Sequence, residues 1–330
     1  MVGQALSREY ALGCGVPQGS VLGPILFSTY THQLGQIIQN FGLCRKLFAD
    51  DTELYTNFRP DAQSAAAAVQ AVESCCSEVK AWMTRNRLKL NDEKTEVIVC
   101  GSNASRRKVT IDSVKVGSST ISLSETVRDL GLLVDSSLSM VPHVSSVVKS
   151  CFYHLRALGK LRPYLNVKTA NAVAVSMILS RLDFCNSCLW GLPQIQLQRL
   201  QRVQNAAARV VSLSKRSDHI SPVLEHLHWL PVAKRIDHKV LSLVCSCIEG
   251  TAPGYLQELV PPHAPNRRLR SASQSLLQVA GVDGHKKKFL GARSFECCGP
   301  LLWNRLPQTL RECPSKQSFK RQLKTHLFVE

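Results

Sequence analysis

Three prolines, Pro163, Pro193 and Pro231, cut the second part of this chain into stretches of helical periodicity: 141–158, 167–182, 194–213 and 232–249. Proline removes a backbone donor and clashes with the preceding turn, so each marks a boundary that a helix does not cross. The first 140 residues follow another pattern. Apolar runs at 96–100, 108–116, 120–123 and 127–134 are separated by Gly/Ser/Asn clusters and read as strands. The alanine-rich stretch 61–85 reads as a helix, with Asp61 as its N-cap. Between residues 22 and 41, Ile25, Leu26, Leu34, Ile37, Ile38 and Phe41 recur at helical spacing, which predicts one helix packed on a sheet. The expected class is α+β, with mixed structure first and helices after it. A chain of 330 residues can bury two or three cores, and the pattern divides it at 1–138, 139–215 and 216–330.

Two short motifs carry chemistry. Gly15 to Phe27 reads GVPQGSVLGPILF, a Gly/Pro loop opening into an apolar helix. Some twenty residues later comes Phe48-Ala49-Asp50-Asp51, an acidic pair at the tip of what reads as a β-hairpin. Taken singly, the first is a helix start, with Gly19-Ser20 equally able to cap a helix from about Val21, and the second is turn chemistry. Adjacent carboxylates offer hard oxygens of the kind Mg²⁺ prefers. Neighbouring strand residues point to opposite faces, so one of Asp50 and Asp51 faces a bound metal and the other turns away.

Together, in this order and spacing, the two motifs resemble consecutive sequence blocks of the reverse transcriptases of non-LTR (LINE-type, Jockey-like) retrotransposons. The resemblance implies a partial right-hand polymerase palm, then a helical thumb and a basic, mostly helical C-terminal region. It implies RNA-directed DNA synthesis by target-primed nucleotidyl transfer, with an RNA template, a DNA primer or target, and dNTP as partners. Mg²⁺ or Mn²⁺ would be the cofactor, as a metal pair about 3.5–4 Å apart clamped by carboxylates. Asp50, with Asp51, becomes the catalytic and metal-binding pair. Pro17, Gln18 and Gly19 lie under the templating base and incoming sugar, Phe48 shapes the nucleotide floor where many relatives carry Tyr, and Lys94 approaches the triphosphate. Ala81–Glu96 (AWMTRNRLKLNDEKTE) resembles the next block, with Lys94 expected on a strand. Val127–Asp135 resembles the primer grip, with Leu130 and Gly131 at close backbone approach. The other essential Asp of the family belongs to an earlier block, whereas Glu9 is the sole carboxylate before Asp50. The expectation is a C-terminal fragment without the fingers and that Asp block, inactive by itself.

Charge supplies the second constraint. Residues 1–140 hold 14 basic and 14 acidic side chains. The other 190 therefore hold 27 of the 41 Lys and Arg but only 10 of the 24 Asp and Glu, which places the whole net charge of +17 there. A surface that tracks phosphates has this footprint. Candidate backbone contacts are Arg199, Arg202 and Arg209 on one helix face, Arg267, Arg268 and Arg270, and Lys286, Lys287 and Lys288, with aromatic residues interleaved. The sequences LHWLP (227–231) and LWNRLP (302–307) recur in the C-terminal regions of related LINE polymerases. The alternative reading is a non-enzymatic nucleic-acid-binding protein derived from such a polymerase, or a translated transposon relic. Thirteen cysteines, odd in number and scattered, suit a reducing compartment. Cys185-x-x-Cys188 is half a zinc pattern with no second half at finger spacing, so zinc is not expected. No apolar run reaches the ~18 residues of a membrane helix, and residues 1–4 show no secretory leader. The expected location is intracellular, nucleus or cytoplasm.

Overall fold

The computed structural model describes residues 11, 13, 15–263, 275–280 and 291–329. Arg267, Arg268, Arg270, Lys286, Lys287 and Lys288 lie outside the described residues. The chain forms two compact units that divide between Val127 and Arg128, ahead of the 138/139 boundary drawn from the sequence. Among the described residues no helix is long and apolar enough to cross a membrane.

In the first unit the helix expected over 22–41 is two helices, α1 (Gly23–Tyr30) and α2 (His32–Asn40). The break at Thr31 has a local cause. Ser28, Thr29 and Thr31 each turn a hydroxyl back onto the carbonyl four residues earlier, at 2.9 Å, and such bonds compete with the helical ladder. Only α2 buries its apolar face, through Leu34 and Ile38. Ile25 and Leu26 of α1 are exposed, contrary to the expected packing on a sheet.

Strands β1 (Cys44–Phe48) and β2 (Asp51–Tyr55) form an antiparallel hairpin. Helix α3 (Ala62–Arg85) is N-capped by Asp61, whose carboxylate accepts from Ser64 N at 2.8 Å. Leu34, Ile38 and Leu43 pack with Cys75, Val79, Trp82 and Met83 of α3 to make the core of this unit. The strand expected over 96–100 is reduced to one bridge, Val97 with Leu123. The strand expected over 108–116 shrinks because α4 (Asn103–Arg106), capped by Ser102, hands Lys108 and Val109 to turn bonds at its end. What remains is β3 (Ser113–Val116), paired with β4 (Ser119–Ser122).

Strands β5 (Thr126–Asp129) and β6 (Leu132–Asp135) form a third hairpin, its turn made by Leu130 and Gly131 at φ 43° and 90°. The mixed α+β class is as expected. The strands form separate two-stranded hairpins, and no larger sheet occurs among the described residues.

The second unit is helical: α5 (Val141–Leu161), α6 (Val167–Ala174) and α7 (Ser180–Asp183) joined by a π-turn at Val175–Leu179, and α8 (Gln194–Ser212). Helices α9 (Ile220–His226), α10 (Val232–Ile248) and α11 (Gly254–Gln257) follow, then α12 (Phe295–Arg305), α13 (Gln308–Arg311) and α14 (Lys316–Val329). Pro193 and Pro231 sit at the N-caps of α8 and α10, where the missing donor costs nothing. One core runs from Met140 to Ile236, and a second gathers Leu241, Val244, Trp303, Phe319 and Leu323. Helix α10 contributes to both, so the helical core does not stop at residue 215.

The end of α8 is closed by a buried cation. Arg162, 5 % exposed, donates to the carbonyls of Val210, Val211 and Leu165. A guanidinium there satisfies carbonyls left over at a helix C-terminus and meets the negative end of its dipole. Replacing Arg162 with Met removes these bonds and leaves acceptors buried. We expect denaturant unfolding of the helical unit to show a loss of about 2–4 kcal/mol; a loss within experimental error would contradict this role.

Candidate functional site

The GVPQGS segment is built by two successive turns. Ser20 N donates to Pro17 O at 3.1 Å, with Gly19 at φ +89°, a conformation that favours glycine at the third position of such a turn. Gly23 N then donates to Ser20 O at 3.2 Å. The helix begins at Gly23 with Leu22 at its N-cap and no side-chain cap bond, so Gly19-Ser20 is not the cap. Pro17, Gln18 and Gly19 are all exposed.

The acidic pair lies where the hairpin reading put it. Phe48 pairs with Asp51 across the end of the ladder, and Ala49-Asp50 is the two-residue turn, with Ala49 at φ 53°. Positive φ at the turn matches the twist of the flanking strands. Asp50 therefore sits on the turn itself and Asp51 on the first rung of β2. Both carboxylates are exposed. Neither makes a side-chain hydrogen bond or ion pair with the described residues. Phe48 is also exposed, at 64 %.

What holds this turn in place is beneath it. The Arg45 side chain of β1 lies directly over Gly35 of α2: a Cβ at Gly35 would meet its Nε at 2.7 Å. Arg45 Nη1 also donates to Gln39 Oε1 at 3.4 Å. Helix α2 is tied in turn to α3, where Trp82 Nε1 donates to Gln33 Oε1 at 3.2 Å. The donor type at the turn suits a hard divalent cation, but the number does not. Among the described residues no third His, Cys, Asp or Glu converges on Asp50 and Asp51. These residues do not complete a metal pair.

Lys94 is exposed at the end of a 3₁₀ turn, Asp92–Lys94, rather than on a strand. The reason is its neighbour. Asp92 accepts from Lys80 Nζ of α3 at 2.6 Å and from Ser119 Oγ of β4 at 2.9 Å, which pins the segment between helix and hairpin. Lys80 reaches it across Gly117, where a Cβ would lie 2.6 Å from Lys80 Cδ.

In the second unit Gly131 packs under the Phe184 ring, with room for a Cβ only at 3.2 Å, and Leu130 projects at the turn. Of the arginines on α8, Arg199 donates to Ser145 Oγ and Gln196 Oε1, and Arg209 donates to Asp218 O. Arg202 is exposed. Cys185 precedes the 3₁₀ turn Asn186–Leu189 and Cys188 lies within it, and burial pushes both thiols above their usual value. The contacts that brace these sites, Lys80 with Asp92 and Arg45 over Gly35, escape sequence reading because each pairs residues at least ten apart with no motif between them.

Residues 1–134 match the sequence model of the family described as reverse transcriptase (RNA-dependent DNA polymerase). Among curated proteins the chain is similar to a probable RNA-directed DNA polymerase from transposon X-element of Drosophila melanogaster. That relative is 26% identical over 219 residues, covering 63% of this chain and 23% of the relative. A probable RNA-directed DNA polymerase from transposon BS of the same organism is 24% identical over 220 residues, 64% of this chain and 24% of the relative. The RNA-directed DNA polymerase from mobile element jockey, also of Drosophila melanogaster, is 24% identical over 141 residues, covering 41% and 14%. The matched stretch spans a quarter or less of each relative. No solved structure matches significantly. The resemblance to reverse transcriptases of transposons, read first from two motifs, agrees with the family model and with these relatives.

Hydrogen bonds from Lys80 and Ser119 hold the Asp92 carboxyl below its ordinary value of 3.8. A carboxylate depressed in the folded state stabilises the fold above its ordinary pKa, and the contribution disappears as pH falls through the depressed value. Lys80→Met should therefore lower the stability of the first unit at neutral pH. It should also flatten the stability loss of that unit as pH falls below the ordinary carboxylate value of 3.8. Urea melts at three pH values check this, and parallel curves for the two proteins would contradict it.

Proposed function

We propose that the chain carries the later palm blocks of a LINE-type reverse transcriptase, followed by a thumb-like region over 139–215 and a basic C-terminal region over 216–330. The observation that carries this reading is the two-residue turn bearing Asp50, with Asp51 on the adjoining rung. Both carboxylates are exposed and unengaged at the tip of a hairpin within the family-matched segment. Two adjacent like charges repel, and a structure that leaves them without counter-charge presents them to a cation. When bound, Mg²⁺ or Mn²⁺ would supply charge stabilisation to phosphoryl transfer.

The chain's own residues then have separate duties. Asp50 and Asp51 would offer one side of the metal clamp, Gln18 and Gly19 a close-packed surface for template and sugar, and Lys94 a cation for the triphosphate. Leu130 and Gly131 would seat the primer end. The other side of the clamp needs a carboxylate from a separate strand. Helix α1 exposes Ile25 and Leu26, and the turn before it Val21 and Leu22, an apolar patch of a kind that is covered in a working domain. Both features support a polymerase part that works inside a larger assembly with RNA template, DNA primer and dNTP. The charge of residues 141–330 favours a second reading, in which the chain binds nucleic acid without catalysis.

Primer extension separates these readings. The 330-residue chain alone, given Mg²⁺ or Mn²⁺, should not extend a primer on RNA. Joined to the upstream reverse-transcriptase segment of a family member, it should extend, and Asp50→Ala should then cut the rate at least about a hundredfold, the scale for losing one charge-stabilising group. Extension by the chain alone that Asp50→Ala abolishes would overturn the incomplete-clamp reading. A joined enzyme indifferent to Asp50→Ala would overturn the site.

A further inference from the structure

The C-terminal half of the molecule contains a cavity of about 530 Å³, between α10, α14 and the end of α7. This volume is within the range of pockets that hold nucleotide-sized ligands. Its wall on α14 is a ladder of Lys316, Lys320 and Lys324, spaced four apart so that they share one face. Helix α10 adds Arg235, His238 and Lys239. The cavity thus gathers five permanent cations against a single carboxylate, Asp183.

That carboxylate is already engaged. Arg235 grips Asp183 with both Nε and Nη2, the first at 2.8 Å. Lys316 Nζ reaches Thr251 Oγ1 at 3.4 Å. Lys239, Lys320 and Lys324 have no ion-pair partner among the described residues. Crowding shows in the titrating groups: burial, then Lys320, Lys324 and Arg235, push His238 down despite a bond to Lys320 O, and burial and Arg235 push Lys324 down. Like charges held together in a half-enclosed space without counter-ions are a feature that an anion relieves.

A second, independent feature lies in the same wall. Asn186 is 3 % exposed, its Nδ2 donates to Asp183 Oδ1 at 3.3 Å, and its Oδ1 is buried with no donor. An orphaned buried acceptor calls for a hydroxyl or amino group. Inorganic phosphate answers the cations, but lysines around it favour loss of its P–OH proton, the donor it would need for the acceptor. A nucleotide answers both.

We propose that this cavity is a nucleotide-phosphate site, with the phosphates against Lys320 and Lys324 and a sugar hydroxyl or base amino group supplied to Asn186. It rests on the nucleic-acid reading above only in choosing a nucleotide among phosphate esters. The nucleotide is either a unit of a single strand or a free triphosphate. Both sources share the chemistry, and the test below tells them apart.

The full chain is titrated at fixed salt with a fluorescent single-stranded RNA 12-mer, with ATP, and with tripolyphosphate. Three variants are compared: K320A/K324A, the conservative K320R/K324R, and K149A/K160A, which removes the same charge from exposed positions of α5 outside the cavity. The site predicts that K320A/K324A weakens nucleotide binding about tenfold, and that K149A/K160A changes it less than about twofold. K320R/K324R should retain binding, and all four proteins should melt together. Loss confined to RNA identifies a strand, and loss shared by ATP, with ATP displacing RNA, identifies a free nucleotide; either supports the site. ATP should bind more tightly than tripolyphosphate because its ribose hydroxyls and base amino group offer Asn186 donors that do not ionise beside the lysines. Equal losses in the two alanine doubles, or no loss in either, would overturn the site. Tripolyphosphate binding that depends on Lys320 and Lys324 while RNA and ATP fail to bind would overturn the nucleotide assignment and leave the polymerase reading untouched.

Discussion

The placement of the acidic turn depends on one close approach, the Arg45 side chain lying where a Cβ of residue 35 would otherwise be. Gly35 is buried on α2 beside Leu34 and Ile38, so β1 is pressed onto the same helix that builds the core with α3. The hairpin is thereby fixed at its base and free at its tip. A two-stranded hairpin by itself is marginal in water, and this anchoring lets one carry a functional turn. Asp50 and Asp51 gain a defined position without being consumed by internal contacts. For a binding pair that is the useful combination, because a carboxylate already paired within the fold has less to offer a cation.

The second unit solves a different problem, that of joining many helices of moderate length. Helix α10 is the shared element. Its first turns, through Val232 and Ile236, close the core that begins at Met140, and its later turns, through Leu241 and Val244, open the core around Trp303 and Phe319. Helix ends are closed by charged side chains acting on backbone. Arg162 does so at the end of α8, and Asp135 accepts from Ser139 N and Met140 N at the start of α5. Arg293 donates to the carbonyls of Leu138, Trp190 and Cys188, tying the segment before α12 to both the hairpin end and the 3₁₀ turn at Asn186. Each satisfies backbone groups that no helix ladder could reach.

Much of this was legible in the chain because its signals are local. Asp61 caps α3, Pro193 and Pro231 open helices, and Ala49-Asp50 turns a hairpin, each from residues within four of the event. The failures were tertiary or competitive. Thr31 breaks a periodicity that looked continuous because back-bonding hydroxyls carry no hydrophobic signal. Lys94 left its expected strand because Asp92 found Lys80 and Ser119. The arginines of α8 do share a face, yet two of the three bond within the protein, which charge counting cannot show. The lysine ladder of α14 was visible as basic residues, but nothing in the sequence pairs it with Asn186, 130 or more residues away.

The central claim is that the Asp50–Asp51 turn is half of a divalent-cation clamp. Paramagnetic broadening by Mn²⁺, read from backbone amide signals of the full chain, tests it directly. A half clamp should bind Mn²⁺ weakly, with broadening centred on residues 48–52 that is lost in Asp50→Ala, and more tightly when a carboxylate-bearing upstream palm segment of the family is joined to the chain. Absence of broadening at the turn, or undiminished broadening there in Asp50→Ala, would contradict it.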